Sequence, residues 1–105
     1  MTAYNVVRFR TKPGKEQEFI DRHQSAELDA PGFRKGVLVK TGERDFCFVG
    51  EWNKFDNLAA ARPAMIGILD SMRDLLEDLG GKLGVTDPVS GPVVAEVGER
   101  RRANV

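Results

Sequence analysis

The chain has 105 residues, with sixteen Lys and Arg balanced by sixteen Asp and Glu and a single Cys. That length predicts one domain, burying roughly 65% of the surface its unfolded chain exposes. The zero net charge argues against nucleic acid or an anionic membrane as partner, and one Cys excludes an internal disulfide framework or a cysteine-built metal site.

Hydrophobic residues at 41% and charged residues at 30% fit a folded chain rather than a disordered one. No apolar run is long enough for a membrane span, and the first residues lack the plan of a secretion signal, so a cytoplasmic protein is expected.

In chain order, residues 3–10 interleave β-branched and aromatic residues with polar ones and read as a strand. Thr11-Lys12-Pro13-Gly14 breaks the pattern, and Pro13 stands where a helix can begin. Residues 15–28 carry apolar side chains at Phe19, Ile20 and Ala26, a thin stripe on a short amphipathic helix that Ala30-Pro31-Gly32 ends. Residues 33–41 form a second strand whose Arg34, Lys35 and Lys40 suit an edge position. Thr41-Gly42-Glu43-Arg44 returns the chain as a hairpin into residues 45–53, where Phe46, Phe48 and Trp52 lie on a spacing of two.

Across residues 55–79, Leu58, Ala61, Met65, Ile68, Met72, Leu75 and Leu79 step by three or four along one helical face. Pro63 divides this run into a lead-in helix near 55–61 and a main helix, with Gly80-Gly81 as its stop. Residues 82–92, with two Gly and two Pro, read as a loop; residues 93–97 read as a final strand, and 98–105, with Arg100 to Arg102, as a solvated tail. The domain is therefore expected over 1–97.

The order β-α-β-β-α-β is the split βαβ, or ferredoxin-like, arrangement: an α+β fold with a four-stranded antiparallel sheet and two helices on one face. Its first and third strands are central neighbours. Matching apolar with apolar puts Asn5, Val7 and Phe9 with Phe46, Phe48, Gly50 and Trp52 under the helices. The opposite face would hold Val6, Arg8, Cys47, Val49 and Glu51, with an Arg8–Glu51 pair and with Val94 from the last strand. A partly apolar back face of this kind calls for a cover, and a second copy of the chain is the expected one.

His23, the only histidine, projects from the sheet-facing side of the first helix. It is a candidate base, and the alternative is a half-buried ring with a backbone partner. Trp52 is either the aromatic wall of a pocket or a core residue sealing the sheet end. Arg62 is either an anchor for an anionic group or a solvated charge. Met65 and Met72 are core thioethers that can also adapt to a ligand. Cys47 reads as a small buried apolar residue. Gly50 leaves a missing side chain between Phe48 and Trp52, and Pro63 lifts the first turn of the long helix. Together they predict a cavity bounded by Trp52, Gly50, Met65 and His23, with Arg62 at its mouth, which Gly50→Leu would fill.

Several short motifs point to a family: Lys12-Pro13-Gly14-Lys15 followed by Glu16-Gln17-Glu18-Phe19, Ala30-Pro31-Gly32-Phe33, and Gly50-Glu51-Trp52 ahead of a helix. In this order and spacing they resemble the antibiotic biosynthesis monooxygenase-like family over residues 3–97. The resemblance implies a homodimeric α+β barrel with a ligand cavity between sheet and helices in each subunit. It implies activities such as cofactor-free oxygenation of polyphenolic rings, haem degradation and isomerisation of small metabolites. The haem-degrading branch carries an Asn on strand one, a Trp on strand three and a haem-ligating His early in helix two. Asn5 and Trp52 match the first two, whereas helix two here has no His and holds Arg62 near that position.

The resulting expectation is a homodimer that binds a small, flat, apolar or phenolic molecule and needs neither metal nor cofactor. His23 and Arg62 would be the catalytic residues, with Trp52, Asn5, Gly50, Met65 and Met72 holding the ligand. Cofactor-independent monooxygenation is the expected chemistry, a non-catalytic ligand-binding or structural homodimer is the alternative, and haem degradation ranks last.

Overall fold

Alternation along residues 3–10 sends Ala3, Asn5 and Phe9 inward and leaves Tyr4 and Arg8 exposed. This strand, β1 (Ala3–Arg10), lies inside a four-stranded antiparallel sheet with β2 (Phe33–Lys40), β3 (Asp45–Trp52) and β4 (Asp87–Pro92), in the order β2-β3-β1-β4. The structure, a computed structural model, describes residues 2–98. The Arg100 to Arg102 run and the rest of the expected tail beyond Gly98 lie outside the described residues.

Helix α1 (Glu16–Ser25) has Glu16 and Glu18 in its first turn and Arg22 and His23 in its last, the arrangement its backbone dipole favours. It seats Phe19 against Phe9 and Phe46, with ring centroids 5.3 and 5.2 Å apart. Helix α2 (Phe55–Ala60) places Leu58, with Ala61 just beyond its end, against Ala3 and Trp52 at the other end of the same sheet face. Burial of Phe19 and of Leu58 each contributes on the order of 1.5–3 kcal/mol of transfer free energy. The fold is the expected ferredoxin-like α+β arrangement.

After Ala61 the chain restarts as α3 (Arg62–Asp70), with Pro63 in its first turn where no backbone N–H is required. The helix ends at Asp70 and does not continue to 79. Leu75 and Leu76 are both buried, but the backbone here bonds to the end of β1 rather than to a further helical turn: Lys12 N–H donates to the Leu75 carbonyl at 2.9 Å and Glu77 N–H to the Arg10 carbonyl at 2.8 Å. A 3₁₀ turn (Arg73–Leu75) leads into an extended Leu76, and Leu76 bridges to Thr11 at the sheet end. Gly80 and Gly81 are thus not the helix stop; both adopt positive φ in the following turn.

The last strand also differs from expectation. Residues 87–92 pair with β1, from Asp87 opposite Arg8 to Pro92 opposite Ala3, whereas Val94 lies beyond the strand and is 87% exposed. Pro88 and Pro92 are tolerated because β4 is an edge strand and its outer side needs no donor. Val89 opposite Val6 takes the back-face position assigned to Val94. The antiparallel register also separates Arg8 from Glu51: Arg8 pairs with Asp87 at 2.9 Å, and Glu51 with Arg34 at 3.2 Å.

Candidate functional site

Strand register builds the floor of the site. Gly36 on β2, Gly50 on β3, Asn5 on β1 and Ser90 on β4 lie in one row across the sheet, on the face covered by helices. Two glycines, a serine and an asparagine cannot fill the space under α3. A cavity of about 470 Å³ opens there, within the size range that holds a small organic ligand. Val7, Phe9 and Phe48 continue the floor, α1 contributes His23, and α3 contributes Arg62, Met65 and Ile68, with Met72 beyond its end. The walls are mainly apolar, and His23 and Arg62 are the ionisable side chains among them.

Of the side chains expected to form the site, Asn5, His23, Arg62, Met65 and Met72 line the cavity. Trp52 and Gly50 do not line it, which corrects both the expected boundary and the expected ligand-holding role of these residues by direct contact. Trp52 is fully buried with Ala3, Leu58 and Ala61. The space above Gly50 is occupied by Asn5: a Cβ at Gly50 would collide with Asn5 Oδ1. The opening lies one strand further out, beside Gly36. A single sequence does not reveal which neighbour leans over a glycine. Phe33, Leu28, Thr86 and Ser90 also line the cavity; Ser90 belongs to β4, which the sequence pattern sets six residues later than its true position.

Trp52 acts on the cavity through Asn5. Its indole Nε1 donates to Asn5 Oδ1 at 2.8 Å, and since indole nitrogen can only donate, the amide orientation is fixed. The Asn5 Nδ2 group then faces the Met65 sulfur at 3.8 Å, a weak acceptor, and retains donor capacity beside the cavity. Arg62 lies one helical turn before Met65 and makes none of the ion pairs found among the described residues.

His23 is held among aromatic rings, its centroid 4.5 Å from Phe19 and 6.0 Å from both Phe9 and Phe48. Its Nδ1 lies 3.0 Å from the Phe19 carbonyl, which can only accept, so Nδ1 carries the proton in the neutral ring. Nε2 is left as a lone-pair acceptor with no protein partner among the described residues. Burial lowers the imidazole pKa, and the bond to the Phe19 carbonyl only partly opposes the shift. The ring is accordingly neutral near pH 7. Among the described residues, no cluster of three or more His, Cys, Asp or Glu could hold a metal ion, and no helix is long and apolar enough to cross a membrane.

Sheet, helices and intervening cavity define a ferredoxin-like α+β domain with a ligand-sized chamber under its helical layer. That fold is shared with solved proteins named in the antibiotic biosynthesis monooxygenase group. One from Bordetella bronchiseptica, assigned that name, superposes with a TM-score of 0.71 at 15% identity, covering 90% of this chain and 98% of its own. A second, from Nitrosomonas europaea, gives 0.70 at 12% identity over 92% and 94%. SnoaB, a cofactor-independent oxygenase from Streptomyces nogalater, gives 0.66 at 15% identity over 93% and 98%. No family model matches the sequence, and no curated protein matches it. At these identities the likeness is one of fold.

Proposed function

We propose that the chain is a homodimeric α+β barrel protein that binds a small, flat phenolic or quinol-type molecule under its helices. We further propose that it catalyses oxygenation of that molecule without a cofactor. The observation that carries the reading is the Trp52–Asn5 hydrogen bond, which commits a buried amide to donating into a mainly apolar cavity. Its partner within the protein is only the weakly accepting Met65 sulfur, so the amide is suited to holding a ligand oxygen.

The chemistry follows from these groups. Neutral His23 accepts the phenolic proton at Nε2, leaving an electron-rich phenolate. Asn5 Nδ2 and the Arg62 guanidinium stabilise charge on a ligand oxygen. The deprotonated ring passes an electron to dioxygen, the radical pair combines with formation of a C–O bond at a ring carbon that bears hydrogen, and the resulting peroxide takes back the proton held by His23 and loses water with that carbon's hydrogen. One dioxygen is consumed, with one oxygen atom in the ketone product and the other in water. The protein's part is to exclude solvent, orient the ring and manage one proton. The cofactor-independent oxygenase sharing this fold supports the reading by analogy.

The homodimer is supported by the back of the sheet. Val37, Val49, Val6 and Val89 lie in register across all four strands on the face away from the helices. Val37 and Val89 are 47% and 63% exposed, and Tyr4 and Val39 extend the apolar surface. A stripe spanning a whole sheet is the kind of surface a second copy covers. The lone, unpaired Cys47 fits a cytoplasmic setting.

Oxygen-electrode measurement with hydroxylated anthrones and naphthols tests the reaction. Consumption of one dioxygen per substrate, lost in His23→Phe, is expected; tight binding with no oxygen uptake would leave a binding dimer in its place.

A further inference from the structure

The cavity is polar at two separated places with opposite hydrogen-bonding character, and both characters are set by the protein's own contacts. At one place Asn5 can only donate, because its acceptor oxygen is committed to the Trp52 indole. Arg62, one helical turn before Met65 on α3, lines the same cavity and adds a second donor. At the other place His23 offers only an acceptor, because its single proton is committed to the Phe19 carbonyl.

The two poles are distinct places in one cavity: His23 packs over Phe9 and Phe48, and Phe48 is registered opposite Val7, whereas the donor pole stands at Asn5. The cavity of about 470 Å³ that both line is large enough for a ligand of two or three fused rings. Between them the walls are Val7, Phe48, Ile68 and Met72, which offer no charge.

The geometry points to a ligand of fixed polarity: a rigid fused-ring aromatic with a hydroxyl at one end, donated to His23 Nε2, and a carbonyl, phenolate or carboxylate oxygen at the other, received by Asn5 and Arg62. This rests on the reading of the cavity as a flat-ring site and adds to it an orientation and a selection rule. Molecules with a hydroxyl at one end only, or capped as ethers there, satisfy one pole and leave the other desolvated. A protein that reads both ends discriminates more sharply than an apolar slot, because a polar group left unpaired costs more than a missing contact.

Three probes test the rule by calorimetry: a naphthoate bearing a hydroxyl on its far ring, the methyl ether of that compound, and the unsubstituted naphthoate. The hydroxynaphthoate is expected to bind about tenfold tighter than either of the others, the worth of one net hydrogen bond. In His23→Phe the three should fall within about twofold of one another. In Arg62→Gln all three should weaken while the hydroxyl preference persists. Equal binding of the three to the wild type, or a preference that survives in His23→Phe, overturns the polarity while leaving a flat-ring site intact. If no naphthoate binds, the flat-ring reading itself fails and the polarity falls with it. Nitrogen NMR of the unmodified protein gives a readout independent of any variant's folding, since its one histidine makes the signals unambiguous. A protonated Nδ1 and a bare Nε2 that shifts with the hydroxynaphthoate but not with its ether are expected; a proton on Nε2 would overturn the assignment.

Discussion

Trp52 and Asn5, 47 residues apart in sequence, are joined by an indole-to-amide hydrogen bond of 2.8 Å in the buried interior. The bond ties the core at the end of β3 to the cavity beside Asn5 on the same face of the sheet. Trp52→Phe keeps most of the packing but leaves Asn5 Oδ1 buried without a donor, which costs about 1–3 kcal/mol. Urea unfolding followed by circular dichroism should show that loss. In the Trp52→Phe background, Asn5→Ala should then cost less than it does in the wild type, a non-additivity that only a direct coupling produces. Strictly additive losses would mean the bond carries no energy.

Gly50 and Gly36 share a row, yet they should respond oppositely to an added side chain. A Cβ at Gly50 meets the Asn5 carbonyl oxygen, with the Trp52 nitrogen 3.3 Å away, so Gly50→Ala severs the pair and Gly50→Leu loses the fold. At Gly36 the obstacle is the far edge of the Phe48 ring, at 2.5 and 2.7 Å, which can swing toward the cavity. Gly36→Ala should therefore keep a cooperative thermal transition while weakening aromatic ligands severalfold. Melting curves and titrations on the two variants separate these outcomes.

The lowered pKa of His23 gives stability a pH signature. In the unfolded chain the ring titrates near its ordinary value of 6.5, and in the folded protein it titrates lower, so the unfolded state holds more protons between the two values. Stability from this group is full above pH 6.5 and falls as pH drops from there toward the folded-state value, below which the loss levels off. Urea midpoints measured from pH 7 downward should decline, and the decline should be shallower in His23→Phe than in the wild type. Identical slopes would show that burial of the ring is not linked to protons.

Assembly should depend on the valine row. Val49 occupies a central strand between Val6 and Val37, so Val49→Lys puts a charge in the middle of the stripe while its stem still covers the sheet. Light scattering is expected to give twice the chain mass for the wild type and a single chain for the variant at micromolar concentration. A wild type that scatters as one chain would remove the case for a dimer.

The parts of this molecule legible in its sequence are those where side-chain period and burial agree. Phe46, Phe48 and Trp52 alternate cleanly, and β3 and its pairing with β1 follow from them. Residues 71–79 keep a helical period yet leave the helix, because period alone does not register that Leu75 and Glu77 exchange backbone hydrogen bonds with Lys12 and Arg10 at the end of β1. Strand β4 was hidden by its own composition: Pro88, Gly91 and Pro92 read as loop residues unless the strand is known to lie at an edge. In the site, His23, Arg62, Met65, Met72 and Asn5 were reachable from face and helix position. The exclusion of Trp52 and Gly50 from the cavity turned on one side-chain rotamer, that of Asn5, which no spacing encodes.

The placement of β1 between β3 and β4 also governs how the chain can fold. The first of the four strands in chain order is also a central one, and its far side is closed only when Pro92 reaches Ala3 and Val93 donates to the Thr2 carbonyl at 2.8 Å. Until β4 is in place, β1 presents an open edge, and the contacts that close it span some of the longest separations in the sheet. Such topology slows folding relative to helical chains of equal length and leaves a half-built sheet open to pairing with a neighbour. Loss of the two prolines of β4, whose rings interrupt the row of donors along the outer edge, would remove one of the few features that discourage that pairing.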